Sequence, residues 1–199
     1  MAADTYLTIA HTSDGCYKEK GSRFLAFVHP VRTLNEVKTL VEAARKTYHD
    51  ARHVCYAYML GGARTEFRAN DDGEPTGTAG KPILGQINAH QLSDVLIIVV
   101  RYFGGILLGT GGLVQAYKAA AADALANNTI VERTIEVAHT IRYDYAQMNR
   151  VMRLVKEYGL TIIEQQQDMD CTLRFAVRQS LDDTIVKLLS ETTTIKLIE

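Results

Sequence analysis

Hydrophobic and polar residues follow two different periods along the first two thirds of the chain, which predicts strands mixed with helices. Segment 33–50 places its apolar residues on one helical face, and Thr33 with Glu36 forms a capping box at its start. The continuously apolar segment 94–103 predicts a strand buried on both faces. The alanine-rich segment 113–126 is the strongest helix former in the chain. Further strands are predicted at 6–10, 22–31 and 51–60.

The last third of the chain combines alternating and amphipathic patterns in a regular order. Alternating patterns predict four strands, and amphipathic patterns predict two helices among them. The strands are expected at 134–145, 160–167, 168–179 and 194–199, and the helices at 146–159 and 180–191. The resulting order βαββαβ is that of the ferredoxin-like split motif. We therefore predict an α+β fold with two domains, 1–131 and 134–199.

Composition narrows the class of protein. A chain of 199 residues can bury a sizeable core, and its longest apolar run, 95–100, is too short to span a bilayer. The three cysteines form no CxxC pair, and the first residues lack the pattern of a secretory signal. We therefore expect a cytoplasmic protein without a membrane partner. The net charge of −1 excludes binding to nucleic acid through bulk charge, so any such binding needs a local patch.

Segment 70–82, NDDGEPTGTAGKP, concentrates acids, glycines and prolines and suggests several kinds of site. A phosphate-binding loop of the form GxxxxGK[ST] is excluded, because Pro75 replaces the first glycine and Pro82 replaces the hydroxyl residue. A dinucleotide-binding fingerprint around GTGGLV is excluded as well, because Val114 stands where the third glycine is required. An acid cluster with chemistry and a stiff turn remain as interpretations of the segment.

A weaker anion site remains at the start of the alanine-rich helix, which Gly109, Gly111 and Gly112 directly precede. A helix N-terminus offers free N–H groups and a partial positive charge, and glycines let a phosphate approach the backbone. Arg101 and Lys81 would add full charges to such a site. The alternative is that these glycines only allow strand, turn and helix to pack closely.

The acids Asp71, Asp72 and Glu74 also have two interpretations. They could hold a metal ion or act as general acid and base. They could equally form a turn in which Gly73 takes a positive φ angle. Arg101 ends a buried strand and needs a carboxylate partner, so we favour an ion pair from Asp72 or Glu74 to Arg101 over catalysis.

Two further groups of residues have both a chemical and a structural interpretation. His53 and Cys55 lie two apart on a predicted strand, so they share a face and could form a nucleophile–base pair, a metal pair or ordinary packing. Lys18, Lys20 and Arg23 form a basic cluster that could contact phosphate or discourage pairing at a strand edge.

The segment 80–109, GKPILGQINAHQLSDVLIIVVRYFGGILLG, resembles the signature of the IMPACT family in its bacterial, YigZ-like branch. The resemblance covers essentially the whole chain, because DDGEPTGTAGKP, GTGGLVQAY, SRF and ARHVC also look like that family. The residues that it singles out are Arg23, His53, Cys55, Asp71, Asp72, Glu74, Arg101, Tyr102, Phe103, Gly104 and Gly105.

The resemblance implies an N-terminal domain like the second domain of small-subunit ribosomal protein S-five, an α/β sandwich that elongation factor G and GHMP-type kinases also use. It implies a ferredoxin-like C-terminal domain, in agreement with the order βαββαβ. Eukaryotic members of the family resemble translational regulators that compete for the activator of an initiation-factor kinase. Bacteria lack that pathway, so the eukaryotic partner cannot be carried over to this chain. What the resemblance implies is a link to translation, with RNA, the ribosome or translation factors as expected partners.

We favour a non-enzymatic protein that acts on translation or RNA through the anion site described above, with no cofactor, no metal ion and no catalytic residue. Ferredoxin-like sheets often bind RNA with exposed aromatic residues. The predicted strands here contain Tyr143, Tyr145 and Phe175, although alternation along a strand places some of its side chains in the core. An enzyme acting on a small phosphorylated or nucleotide ligand at the glycine-rich helix start is the first alternative. A protein-interaction adaptor is the second.

Overall fold

The computed structural model describes residues 4–167, 170–191 and 195–198. These residues form two compact units. One unit is Tyr6–Arg133, and the other combines the residues from Thr134 onward with those up to Thr5. Each unit contains strands and helices, which confirms the α+β class. No helix in the described ranges has both the length and the apolar composition to cross a membrane.

The division into domains 1–131 and 134–199 stays a prediction. Positions 1–3, 168–169, 192–194 and 199 of these predicted domains lie outside the described residues. Four of these positions, 168, 169, 194 and 199, also belong to two predicted strands.

The first unit is built on a five-stranded sheet in which β6 is central. The strands are β1 (Thr5–Ile9), β2 (Ser13–Glu19), β3 (Ser22–Pro30), β4 (His53–Leu60), β5 (Glu66–Asn70), β6 (Val95–Tyr102) and β7 (Ile130–Thr134). The helices are α1 (Leu34–Thr47), α2 (Gly80–Ala89) and α3 (Gly109–Ala126). The five strands lie in the order β2-β3-β6-β4-β5, and β1 pairs with β7 in a separate two-stranded sheet.

Successive residues of β6 enter two different cores, which explains its continuously apolar sequence. Val99 belongs to the core that contains residues of α2 and α3, together with other odd-numbered residues of β6. Val100 belongs to the core that contains Val37 and Val41 of α1. Because side chains alternate along a strand, a strand covered by helices on both faces needs apolar residues at every position. The predicted double burial is confirmed.

The start of α1 has the predicted cap by Thr33, but Glu36 reaches one residue further back than in a capping box. The Thr33 hydroxyl accepts a hydrogen bond from the Glu36 N–H at 3.2 Å. The Glu36 carboxylate accepts one from the Arg32 N–H at 2.7 Å, one residue before the cap. Two N–H groups outside the helical ladder are therefore satisfied by side chains.

Two helix starts differ from the prediction. α3 begins at Gly109 rather than at 113, so Gly109, Gly111 and Gly112 form its first turn instead of preceding it. α2 was not predicted, because Gly80 and Pro82 disfavour helix on propensity. Pro82 is compatible with α2 because it lies in the first turn, where its missing N–H has no partner within the helix.

The second unit has the predicted element order βαββαβ. Its strands are β8 (Glu136–Asp144), β9 (Thr161–Gln166), β10 (Asp170–Arg178) and β11 (Ile195–Ile198). Its helices are α4 (Met148–Tyr158) and α5 (Asp182–Ser190). The sheet order is β11-β8-β10-β9, with antiparallel pairing throughout. Gly159 ends α4 in the left-handed conformation.

The aromatic residues proposed for RNA binding on this sheet are placed differently from the prediction. Tyr143 and Phe175 are buried in the core that also contains Val151 and Ile185 of the two helices. Tyr145 is 70 % exposed but follows β8 rather than lying on it. The expectation of an aromatic RNA platform from Tyr143 and Phe175 is therefore wrong, because both side chains lie on the helix-covered face.

Candidate nucleic-acid interface

Asp71 organises the loop between β5 and α2. Its carboxylate accepts hydrogen bonds from the N–H groups of Gly77 at 2.8 Å, Ala79 at 3.0 Å and Gly80 at 2.8 Å. Burial raises the pKa of Asp71, but the three backbone hydrogen bonds and the charge of Lys81 outweigh that effect and hold the pKa below its ordinary value. Asp71 therefore supplies the negative charge at the start of α2 from outside the helix.

Asp72 ties the same loop to the start of β4. Its carboxylate accepts hydrogen bonds from Arg45 and from the Val54 N–H, both at 2.6 Å. Its backbone oxygen lies 2.8 Å from His53 Nδ1. A carbonyl oxygen only accepts, so Nδ1 carries the proton in this contact. Asp72 is committed to these partners and is not the partner of Arg101.

Glu74 forms the predicted ion pair with Arg101. Glu74 Oε1 lies 2.6 Å from Arg101 Nη1, and both side chains are buried. The same oxygen accepts a hydrogen bond from the Tyr117 hydroxyl at 2.8 Å. Burial raises the pKa of Tyr117, so its hydroxyl stays protonated and donates. The predicted ion pair from Asp72 or Glu74 to Arg101 is confirmed, and Glu74 is the acid that forms it.

His53 and Cys55 also contact this loop, but they do not form a reactive pair. Cys55 Sγ lies 3.0 Å from the Asp71 carbonyl oxygen and 3.3 Å from the Tyr117 hydroxyl. Burial raises the pKa of Cys55 to about 12, so the thiol is protonated at neutral pH. His53 Nε2 lies 3.9 Å from Glu74 Oε1. No cluster of three or more metal-ligating side chains occurs within the described ranges.

A cavity of about 540 Å³ opens between this loop, the end of β6 and the start of α3. Its charged lining residues are Arg52, Glu74 and Arg101, and His53 lies beside them. The complete lining is Arg52, His53, Gly73, Glu74, Pro75, Arg101, Phe103, Leu107, Leu108, Gly109, Thr110 and Leu113. The cavity therefore combines cationic groups with an aromatic ring and a helix start.

The predicted phosphate contacts are only partly brought together. Arg101 and Gly109 line the cavity, whereas Lys81, Gly111 and Gly112 are not among its lining residues. Lys81 is exposed in the first turn of α2, where its charge acts on Asp71. Gly111 and Gly112 continue the first turn of α3 beyond Gly109.

The start of α3 differs from the start of α2 in its capping. No described side chain caps α3 at Leu108, and its first turn contains no acidic residue. A Cβ atom at Gly109 or Gly111 would meet no atom within 4 Å, whereas one at Gly112 would lie 3.0 Å from Leu108 Cβ. Gly109 has a φ of 70°, which favours glycine. Close packing therefore does not explain the glycine at 111.

Aromatic rings and guanidinium groups pair where β6 ends. Arg23 lies over the Tyr102 ring with 5.1 Å to the centroid, and Arg101 lies 5.7 Å from the Phe103 centroid. Phe103 is 44 % exposed. Arg23 and Tyr102 also line a second, shallow cavity together with Lys18 and Lys20. These distances are in the range of cation–π contacts.

Gly104 and Gly105 shape the loop after β6 for structural reasons. A Cβ atom at Gly104 would lie 1.9 Å from the Gly21 carbonyl carbon, so the two backbones touch. Gly105 has a φ of 86°. The contact with Gly21 attaches this loop to the turn between β2 and β3, next to the basic cluster.

Two residues of the site were not identified by sequence reasoning. Arg52 lines the cavity and forms no ion pair with a carboxylate among the residues that the structure describes. Tyr117 lies in α3 and is completely buried against Glu74. The signal for Tyr117 was a polar aromatic residue in the middle of an alanine-rich apolar helix face, where a buried hydroxyl requires a partner.

Comparison with known proteins assigns the chain to a family. The Impact N-terminal domain matches residues 20–125, which include every site residue described above except Lys18. The chain belongs to the IMPACT family. It is 36 % identical to the IMPACT family member YigZ of Escherichia coli K12, over 79 % of this chain and 78 % of that protein.

Another member of the IMPACT family and a solved structure are similar to this chain over most of their length. The chain is 34 % identical to the IMPACT family member YvyE of Bacillus subtilis, over 77 % of this chain and 70 % of that protein. A crystal structure of a hypothetical protein is 32 % identical, with a TM-score of 0.75 over 99 % of this chain and 98 % of the other. The fold described above is thus present in a solved structure.

Proposed function

We propose that this IMPACT-family protein binds single-stranded RNA of the translation machinery and catalyses no reaction. The proposal rests on one observation: cationic and aromatic side chains lie next to one another at the end of β6. Arg23 lies over Tyr102, and Arg101 lies beside the half-exposed ring of Phe103. Surfaces that bind single strands combine such cations, which contact the backbone, with rings on which bases stack.

The positive charge of this surface is confined to a local patch, because the chain as a whole is nearly neutral. The whole chain has a net charge of −1. Lys18, Lys20, Arg23 and Arg52 line the two cavities on this surface, and all four are exposed. Such a patch attracts phosphates through contacts that weaken as salt is added.

Observations at the buried groups support a binding protein rather than an enzyme. Glu74 is engaged by Arg101 and Tyr117, so its carboxylate has no free role as a base. The Cys55 thiol is protonated and has a hydrogen-bond partner. These groups hold the loop and strand in place beneath the proposed RNA surface.

The link to translation rests on the family. Its eukaryotic members resemble translational regulators. The Impact N-terminal domain, which defines the family, matches residues 20–125 of this chain. We extend this link to the ribosome or a translation factor as the source of the RNA. A second candidate is a protein partner at the same loop, because Ile106 is 56 % exposed and Leu107 is 84 % exposed.

The test measures binding of the protein to ribosomes by co-sedimentation, and to a short single-stranded RNA by fluorescence anisotropy, at low and moderate salt. Arg23→Ala combined with Arg52→Ala removes two exposed cations and should lower affinity and reduce the salt dependence. Phe103→Ala should weaken RNA binding by about 1–3 kcal/mol through lost stacking.

Lys38→Ala is the matched control, because Lys38 is an exposed cation that lines a different cavity beside α1. It should leave RNA affinity unchanged. Binding to neither RNA nor ribosomes at low salt would overturn the proposal. Ribosome binding without RNA binding, lost on Leu107→Ser, would support the protein-partner candidate instead.

A further inference from the structure

The starts of α2 and α3 differ in whether a carboxylate accepts hydrogen bonds from their N–H groups. The carboxylate of Asp71 accepts hydrogen bonds at the start of α2 and supplies negative charge there. At the start of α3, no described side chain performs this role, and the first turn contains no acid. The N–H groups of that turn, including those of Gly109 and Gly111, therefore lack the anion that α2 has.

A buried donor points to the same missing anion. Arg101 is only 6 % exposed and lines the cavity that contains Gly109 and Thr110. Its Nη1 is taken by Glu74, but no described atom accepts a hydrogen bond from its Nε. Buried donors without a partner are rare in proteins, because such a group loses its hydration without compensation. Arg101 therefore brings a guanidinium group with an unsatisfied donor to the wall of the cavity, next to the helix start.

The glycine at 111 supports a close approach by a ligand. Its added Cβ would meet no protein atom within 4 Å, and Gly111 lies in α3 without a positive φ angle. Glycine in a helix reduces stability compared with alanine. A glycine that neither packing nor backbone conformation requires is consistent with backbone that faces a ligand.

The cavity favours one kind of phosphate. A phosphodiester within a strand carries a nucleotide on each side and lies along a surface. A phosphate monoester at a chain end carries only one nucleotide, so it can enter a cavity whose wall includes a side chain as buried as Arg101. It also carries about 1.5 to 2 negative charges near neutral pH, more than a diester. Arg52 and the α3 start supply the matching positive charge.

We propose that this cavity binds the phosphate monoester of a nucleotide, with the phosphate at the start of α3 and the base against the Phe103 ring. The inference rests on the proposed RNA-binding function, for which it names the recognised group. The chemistry is shared by the phosphorylated end of a single-stranded RNA and by a free nucleoside monophosphate. The experiment below distinguishes these two sources.

The experiment uses the full chain and RNAs of about ten nucleotides that carry a 5′-phosphate, a 3′-phosphate or neither. Each RNA competes with a fluorescent phosphorylated RNA, and nucleoside monophosphate and inorganic phosphate compete in separate arms. We expect one phosphorylated end to bind about tenfold more tightly than the unphosphorylated RNA, as one or two charge-assisted hydrogen bonds would give.

Gly111→Asp and Gly85→Asp form the matched pair of variants. Both replace an exposed helix glycine that has open space around it with an aspartate, but only position 111 lies in the first turn of α3. The carboxylate at 111 favours the helix but repels a phosphate. The phosphate-dependent gain should disappear in Gly111→Asp and persist in Gly85→Asp, and equal behaviour of the two variants would overturn the inference.

The outcomes separate this inference from the proposed function. RNA binding that is indifferent to the terminal phosphate would overturn the inference and leave the proposed function intact. Nucleoside monophosphate binding that Gly111→Asp abolishes, without RNA binding, would support the cavity and overturn the RNA function. Binding of none of the probes would overturn both.

Discussion

The Glu74 carboxylate and the Arg101 guanidinium meet at 2.6 Å, and this buried pair joins the loop after β5 to the end of β6. Tyr117 donates to the same Glu74 oxygen and adds α3 to the connection. A buried charge is tolerated only when it is paired and hydrogen-bonded. The pair therefore fixes the positions of two residues that line the candidate cavity.

Removing the charge of Glu74 should destabilise the fold strongly. Glu74→Gln keeps the shape of the side chain but leaves Arg101 as a buried cation without a counter-charge. We expect a loss of about 3–5 kcal/mol in the free energy of unfolding, measured by urea denaturation. Tyr117→Phe removes the hydrogen bond to Glu74 and the weak one from Cys55 Sγ, and it should cost only about 1–2 kcal/mol. Equal losses of unfolding free energy in Glu74→Gln and Tyr117→Phe would contradict the larger contribution of the ion pair.

Asp71 should contribute stability that depends on pH in a defined direction. Its pKa in the folded protein lies below the ordinary value of 3.8, so the folded state favours the ionised form. The contribution is complete above the unfolded pKa and is lost as pH falls through the lower, folded pKa. We expect Asp71→Asn to cost about 1–2 kcal/mol at neutral pH.

The pH series provides the check on Asp71. The difference in unfolding free energy between the wild type and Asp71→Asn should be constant between about pH 5 and pH 8 and should shrink in more acidic solution. A difference that grows on acidification would show that the carboxylate is not stabilised in the folded state.

Two glycines should respond to alanine in opposite directions. Gly104→Ala places a Cβ 1.9 Å from the Gly21 carbonyl carbon. It should destabilise the protein, because the atoms that the Cβ meets in Gly21 and Ser22 are backbone atoms. Gly111→Ala enters open space in the first turn of α3 and should stabilise it by up to about 0.5–1 kcal/mol. Thermal melts of the two variants provide the comparison, and a stabilised Gly104→Ala would contradict the backbone contact.

The cysteines should differ in reactivity with a thiol reagent at neutral pH. Cys16 is exposed, whereas Cys55 and Cys171 are buried. Burial raises the pKa of Cys55 to about 12, which removes its nucleophilic thiolate. We expect one thiol to react in the native protein and the other two only after unfolding. Cys16→Ser should abolish the native reaction, and rapid native labelling of Cys55 would contradict its burial.

Elements with strong local signals were predictable from the sequence. α1 and α4 have a regular apolar face and recognisable end signals, and β6 is apolar at every position. α2 escaped prediction because the carboxylate that stabilises its start belongs to Asp71, outside the helix. Local propensity contains no information about such a partner.

The candidate site was predictable only in part. The need of Arg101 for a carboxylate followed from its place at the end of a buried strand, and Glu74 meets that need. Which of the two proposed acids, Asp72 or Glu74, would do so did not follow, because their carboxylates have the same chemistry. Their separate partners depend on backbone directions that only the folded loop has.

The sequence by itself determined the α+β class, the order of most elements and the chemical types gathered near β6, because periodicity and residue chemistry are local properties. The tertiary structure decided that Arg52 and Arg101 share a cavity with Gly109, that Lys81 does not line it, and that Tyr143 is buried. These outcomes depend on residues far apart in the chain, whose proximity is set by strand order and helix packing.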